Sequence, residues 1–192
     1  MKNIGIIDLG INNIKSINNA CKLYGNTYLI KNPDQFHEDS DAIILPGNGN
    51  FRAGMEIIKK NKIDNLINHV IKKNMKLITI CLGIQLLMEN SEESPGTSGL
   101  SIIKGSCLRI DSNKFKTPLL GWYDVQFDND EKKSFFFNNN FMVRPQDKSI
   151  IKASIHNQIA SYIELKNIYG FQFHPEKSGD QGLKLLKQII YK

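Results

Sequence analysis

Short apolar runs alternate with helix-patterned segments through the first half of this chain, and that alternation restricts the fold more than any other feature. Residues 4–7 are a compact apolar run ending in Asp8-Leu9-Gly10, followed by a polar turn and a helix through about Leu23. Ile14, Ile17, Ala20 and Cys21 give that helix its apolar stripe. Residues 27–30 read as the next strand, and residues 41–45 as a cleaner one, closed abruptly by Pro46-Gly47-Asn48-Gly49. Residues 55–71 carry Ile57, Ile58, Ile63, Leu66, Ile67, Val70 and Ile71 at the spacing of one or two helices. Residues 76–80 read as a short buried strand, and residues 82–87 open a further helix. Strands joined through helices pair in parallel, and a parallel sheet needs both faces covered. The expectation is an α/β fold, a doubly wound, mostly parallel sheet flanked by helices. Ligands of such sheets bind beyond the carboxyl ends of the strands, where Asp8, the Pro46–Gly49 turn and Cys81 fall.

From Gly99 the texture changes. Residues 100–110, 121–127, 135–143 and 150–163 read as strands separated by Asn, Asp, Lys and Pro turns. They predict an antiparallel β extension that walls one side of the cleft. Residues 168–173 form another buried strand leading into His174, and residues 182–190 close the chain as a helix. No repeat or low-complexity linker divides the 192 residues, which are read as one domain, 1–192, with room for a sizeable core.

The formal charge is +6, from 25 Lys and Arg against 19 Asp and Glu. A basic balance raises nucleic acid as a partner. The lysines, however, are interleaved with apolar residues, and Arg52, Arg109 and Arg144 are few for a dedicated phosphate reader. The charge reads as a solvated surface with no nucleic-acid partner, an anionic substrate staying open as the minority reading. Cys21, Cys81 and Cys107 make neither an even set nor a metal-type pair. The start turns acidic at Asp8, too early for a signal peptide, and no apolar stretch approaches a membrane span. A cytoplasmic chain with no membrane association is expected.

Cys81 carries the most chemistry. It stands between a strand and a helix, where a side chain projects outward at the positive end of the following helix dipole, a setting that favours the thiolate. A lone cysteine at a strand end is more often a small core residue than a nucleophile. His174 and Glu176 shift that balance. His174 ends a strand 93 residues later, Pro175 fixes the chain behind it, and Glu176 can reach the ring nitrogen that faces away from Cys81. Gly47, Asn48 and Gly49 offer backbone N–H groups for an oxyanion. Gly83 stands two after the nucleophile, as a tight elbow requires, whereas Thr79, two before it, replaces the usual small residue. His37, His69 and His156 read as surface groups. His174 and Glu176 alone would be two metal ligands, and Asp8-Leu9-Gly10-Ile11-Asn12-Asn13 lacks the glycine triplet of a dinucleotide site, so no metal or cofactor is expected.

Taken together, these segments resemble the class I, triad-type glutamine amidotransferases. Ile80-Cys81-Leu82-Gly83-Ile84-Gln85 looks like their nucleophile motif, and Phe171-Gln172-Phe173-His174-Pro175-Glu176-Lys177-Ser178-Gly179 like their His/Glu motif. The likeness is closest to the glutaminase subunits of imidazole glycerol phosphate synthase in histidine biosynthesis, and it runs in order along the whole chain. It implies that the Cys81 thiolate attacks the side-chain amide of L-glutamine while His174, oriented by Glu176, carries protons. The ammonia released would pass through a tunnel into a barrel-type cyclase partner in a heterodimer. The resemblance further implies substrate contacts from Gln85, Gly47, Asn48, Gly49, Gly83, Asn139 and Asn140. Asn13, Pro118 and Trp122 would lie at the partner interface. The oxyanion turn would be completed by the partner, leaving the isolated chain slow.

Several positions depart from the family pattern. Asn139-Asn140-Phe141 stands where His-Ser-Tyr is usual, and Pro118-Leu119-Leu120-Gly121-Trp122-Tyr123 where Pro-His-Met-Gly-Trp-Asn is usual. These changes touch the glutamine pocket and the docking face, and they keep two other readings open. One is a paralogue feeding another acceptor, such as a sugar-amidation enzyme of surface polysaccharide synthesis. The other is a non-catalytic binding subunit of the same fold. A cysteine peptidase would share the triad but explains neither Gln85 nor Lys177-Ser178-Gly179.

Overall fold

Each residue of the strand Ala42–Gly47 is buried, because that strand lies inside a sheet covered on both faces. The computed structural model describes residues 1–11 and 13–192; Asn12, in the opening turn, lies outside the described residues. The chain runs β1 (Lys2–Ile7), α1 (Ile14–Lys22), β2 (Gly25–Ile30), β3 (Ala42–Gly47), α2 (Phe51–Lys60), α3 (Ile63–Lys72), β4 (Lys76–Cys81) and α4 (Leu82–Leu86). It continues through β5 (Asn90–Ser91), β6 (Gly105–Arg109), β7 (Leu119–Phe127), β8 (Lys132–Asn139), β9 (Phe141–Pro145), β10 (Ile151–Ile155), β11 (Ile159–Leu165), β12 (Ile168–Phe171) and α5 (Gly179–Tyr191). A nine-stranded sheet has the order β2-β1-β3-β4-β12-β11-β10-β7-β8, and β5-β6-β9 form a separate three-stranded sheet. Strands β2, β1, β3, β4 and β12 are parallel, and β11, β10, β7 and β8 continue the same sheet antiparallel. The doubly wound, mostly parallel sheet with an antiparallel extension expected from the sequence is therefore present.

The period of two along the central strands divides the core. Ala42, Ile44, Ile78 and Ile80 point into one cluster with Ile17 and Cys21 of α1 and Leu186 and Ile190 of α5. Ile43, Leu45 and Leu77 point into the other, with Met55 and Ile58 of α2 and Leu66, Ile67 and Val70 of α3. The Asn50 side chain caps α2 by accepting from Arg52 N and Ala53 N, and Lys62, at φ 56°, breaks the segment into two helices. Among the described residues no helix is long and apolar enough to cross a membrane.

Apart from shifts of a few residues at element ends, four segments differ from the sequence reading. Residues 100–104 are not strand: the N–H groups of Leu100, Ile102 and Ile103 turn back onto the Leu86 and Leu87 carbonyls, and pairing starts at Gly105. Residues 135–143 are two strands in different sheets, separated at Asn140, whose carbonyl accepts from Ile110 N–H. Residues 150–163 are a hairpin that reverses at His156-Asn157, both at positive φ. The last parallel strand stops at Phe171, two residues earlier than expected; Gln172 N–H still bonds the Ser161 carbonyl of β11, and His174 N–H then turns to the Phe136 carbonyl of β8.

Two glycines set how closely the layers meet. A Cβ at Gly83 would lie 2.0 Å from the Leu45 carbonyl oxygen, and one at Gly47 would lie 2.6 Å from Gly83 N. Both clashes are with backbone in a central strand or the adjoining helix start, so neither can be relieved by a rotamer change. Gly83→Ala is expected to destabilise the fold by about 1–3 kcal/mol, read as a lower urea midpoint with an unchanged slope.

Candidate active site

Cys81 ends β4 and immediately precedes α4, with φ 53° and ψ −108°, a conformation that costs a residue carrying a Cβ roughly 1–3 kcal/mol. The surrounding packing enforces it. β3 and β4 are in register to their ends, so Gly47 lies beside Cys81, and Gly47 and Gly83 let β3 and the start of α4 touch. Thr79 is fully buried two positions earlier, its hydroxyl directed at the Tyr169 carbonyl at 3.5 Å, so the larger residue is accommodated toward β12. The helix after Cys81 has five residues, which limits the dipole support expected from the sequence. The Cys81 thiol faces the Asn138 carbonyl at 3.9 Å, where β8 passes over the end of β4.

His174 is held from several sides. The Phe173 ring before it stacks on Phe135 at 4.1 Å and lies against Phe171 at 5.2 Å. His174 N–H donates to the Phe136 carbonyl at 2.9 Å. Ser178 Oγ donates to the His174 carbonyl at 2.6 Å and accepts from Phe136 N–H at 2.9 Å, tying the histidine turn to β8. The ring's Nδ1 is 2.9 Å from Glu176 Oε1, both side chains being about 5% exposed. Its Nε2 is buried without a hydrogen-bond partner. Burial works against a charged ring, yet the Cys81 thiol and the Glu176 carboxylate outweigh it and push the His174 pKa up to about 10. The geometry brings Cys81, His174 and Glu176 together, from β4 and from the turn after β12.

The remaining expected residues fall in three places. Gly47 and Gly83 are buried at the β3–α4 contact, while Asn48 and Gly49 are exposed just beyond it, Gly49 at φ +118°. Gln85 and Asn139 are buried, and their amides are already engaged: Gln85 Nε2 donates to the Phe141 carbonyl at 3.0 Å and Asn139 Nδ2 to the same oxygen at 2.9 Å. The Gln85 donor expected to meet substrate is thus hydrogen-bonded within the protein. Asn140 is exposed at the bend between β8 and β9. Asn13, at the start of α1 without capping it, and Pro118, joined to Thr117 by a cis peptide, are exposed, as are Leu120 (61%) and Trp122 (58%) on one face of β7. Sequence reasoning gave no role to Ser178 or Gln172, although both stood inside a quoted motif. The Asn138 carbonyl is a backbone contact with no side-chain signal. Among the described residues no group of three or more His, Cys, Asp or Glu could hold a metal ion.

The family model for class-I glutamine amidotransferases matches residues 5–192. The chain is 38% identical to "Imidazole glycerol phosphate synthase subunit HisH" of Methanopyrus kandleri, covering 97% of this chain and 96% of that one. It is 37% identical to the subunit of the same name from Pyrococcus furiosus, covering 98% of each. Among solved structures, a glutamine amidotransferase superposes with TM-score 0.78 at 15% identity, covering 98% of this chain and 99% of that one. PurLQS from Thermotoga maritima superposes with TM-score 0.77 at 20% identity, covering 99% and 98%. At those identities the two structures establish a shared fold.

The His174 pKa sets a sign for pH dependence. It rises from 6.5 to about 10 on folding, so the stabilisation from the charged ring is complete below 6.5 and is lost as pH climbs through about 10. Ring resonances of His174 are expected not to titrate through neutral pH in the wild type. Glu176→Gln removes the carboxylate and lowers the titration midpoint, which NMR of the labelled ring would register.

Proposed function

This chain belongs to the class-I glutamine amidotransferase family, and from that premise we propose that Cys81, His174 and Glu176 are the triad with which it hydrolyses L-glutamine. The observation that carries the assignment is the buried pairing of His174 Nδ1 with Glu176 at 2.9 Å, leaving Nε2 unpaired and the thiol of Cys81 as the other group acting on the ring. The Cys81 thiolate adds to the carboxamide carbon of glutamine, and the developing oxyanion is met by backbone N–H groups of the Asn48-Gly49 turn and the start of α4. His174 passes its proton to the amide nitrogen, the C–N bond breaks, and ammonia leaves behind a γ-glutamyl thioester. The ring, now neutral, takes a proton from water, whose oxygen displaces Cys81 as thiolate and gives glutamate. Glu176 keeps Nδ1 as the bonded nitrogen throughout.

The chain acts as the glutaminase subunit of imidazole glycerol phosphate synthase, supplying ammonia to a barrel-type cyclase in a heterodimer. Relatives of that name at 38% and 37% identity over nearly the full length support this. So do Leu120 and Trp122, two large apolar side chains left in solvent beside the candidate site. One domain spanning 1–192 and a cytoplasmic location belong to the same reading, with Asn13, Pro118 and Trp122 facing the partner. Gly47, Gly83 and Asn139 shape the glutamine pocket, which Asn140 borders.

Glutamine hydrolysis by the complex with the cyclase is expected to fall at least roughly a thousandfold in Cys81→Ala; equal, negligible rates in both proteins would end the enzyme reading. Trp122→Ala is expected to weaken association with the cyclase by about tenfold or more, measured by titration calorimetry. Complementation of a histidine auxotroph reports the acceptor: growth supports the cyclase, and failure assigns the ammonia to a different enzyme.

A further inference from the structure

A chain of buried amides joins the nucleophile helix to the histidine turn and to the wall of the pocket. Gln172 is 1% exposed and stands two residues before His174. Its Oε1 accepts from Val143 N–H of β9 at 3.3 Å and from Gln85 Nε2 at 3.4 Å. Gln85 lies four residues after Cys81, and its Nε2 also donates to the Phe141 carbonyl. That carbonyl takes a further hydrogen bond from Asn139. Two polar atoms in the chain stay open: Gln172 Nε2, a donor, and Asn139 Oδ1, an acceptor, are both buried without partners.

We propose that Gln172 is a positioning residue for glutamine hydrolysis, acting through Gln85 and β9 to set the pocket wall at Asn139–Phe141 relative to Cys81. The proposal rests on the functional reading above. A bridge serving packing alone gains nothing from keeping a buried donor and a buried acceptor unpaired. A polar substrate arriving at this wall meets the open Asn139 acceptor already oriented, because Gln172 Oε1, Gln85 Nε2 and Asn139 Nδ2 are spent on holding the wall. Gln172 reaches neither the thiol nor the imidazole by any hydrogen bond of the structure, so its effect falls on substrate binding rather than on proton transfer.

The test is steady-state glutaminase kinetics of the complex with the cyclase, comparing wild type with Gln172→Leu, Gln172→Glu, Gln85→Leu and the double Leu variant. Gln172→Leu keeps the volume and removes both amide atoms; it is expected to raise KM for glutamine about tenfold while the rate of Cys81 alkylation by iodoacetamide stays at the wild-type value. Gln172→Glu keeps the acceptor for Val143 and Gln85 and is expected to restore KM to within about threefold. The double Leu variant is expected to be no worse than the poorer single one, since both cut one bridge. A KM within about twofold of wild type in Gln172→Leu, or multiplicative losses in the double variant, overturns the proposal. If Gln172→Leu does not fold, Gln85→Leu decides by the same KM criterion. Turnover by wild type and its loss in Cys81→Ala test the functional reading separately; a wild type without turnover overturns both.

Discussion

The strained backbone at Cys81 is the constraint around which the rest of the molecule is arranged. A residue with a Cβ does not hold φ 53°, ψ −108° unaided. Here the end of β4 is pinned on one side by β3, in register up to Gly47, and on the other by β12, in register up to Phe171. Contact between the Leu45 carbonyl and Gly83 then leaves the chain no room to relax after Cys81. The same pairing with β12 brings Gln172, Phe173 and His174 out beside the thiol. The positions of Cys81 and of His174 are therefore two consequences of one strand order.

Electrostatics separates the three cysteines. All three are buried, and burial alone favours the neutral thiol. Burial, reinforced by the charge of Glu176, pushes Cys21 up to about 12, and burial raises Cys107 further with help from Glu93. Those thiols stay protonated and behave as small apolar groups. Cys81 differs in having a cationic imidazole as its neighbour, which a buried thiol alone could not recruit. Glu176 makes that cation sustainable, and Phe173 with Ser178 keeps the ring from following the thiol out of place. A buried charge needs its partners fixed, since reorganisation would cost what the low dielectric gains.

The parallel half of the fold was legible because its strands are apolar at nearly every position and its helices show a period that strands cannot imitate. Ala42–Gly47 and the helical spacing of Leu66, Ile67 and Val70 leave little alternative. The site was legible where side chains carry it, at Cys81, His174 and Glu176. It was illegible where the backbone carries it: no residue type announces that the Asn138 carbonyl faces the thiol, or that the Phe136 carbonyl accepts from His174 N–H while the Phe136 N–H donates to Ser178 Oγ. Strand limits in the second half failed for a related reason. Residues 100–104 have strand-like composition, but their N–H groups find acceptors at the end of α4, and the competition between those partners is tertiary. Gln85 was assigned to substrate by resemblance alone; the acceptor its amide meets, the Phe141 carbonyl, arrives from 56 residues away.

Exposed apolar surface and reactive centre are coupled through a single strand pair. On β7, Leu120 and Trp122 point to solvent, and their register partners on β8 are Asn138 and Phe136. Those two residues supply the carbonyl over Cys81 and the backbone groups that hold His174. Leu120 and Trp122 thus lie opposite the two positions where β8 meets Cys81 and the His174 turn. The Trp122 ring lies edge-on to Phe136 at 6.4 Å, so even a side-chain rotation is felt there. Strands transmit displacement along hydrogen bonds with little slack, and this pair is hydrogen-bonded from Leu119 to Gln126. The exposed face of β7 and the backbone contacts to Cys81 and His174 therefore share one strand pair.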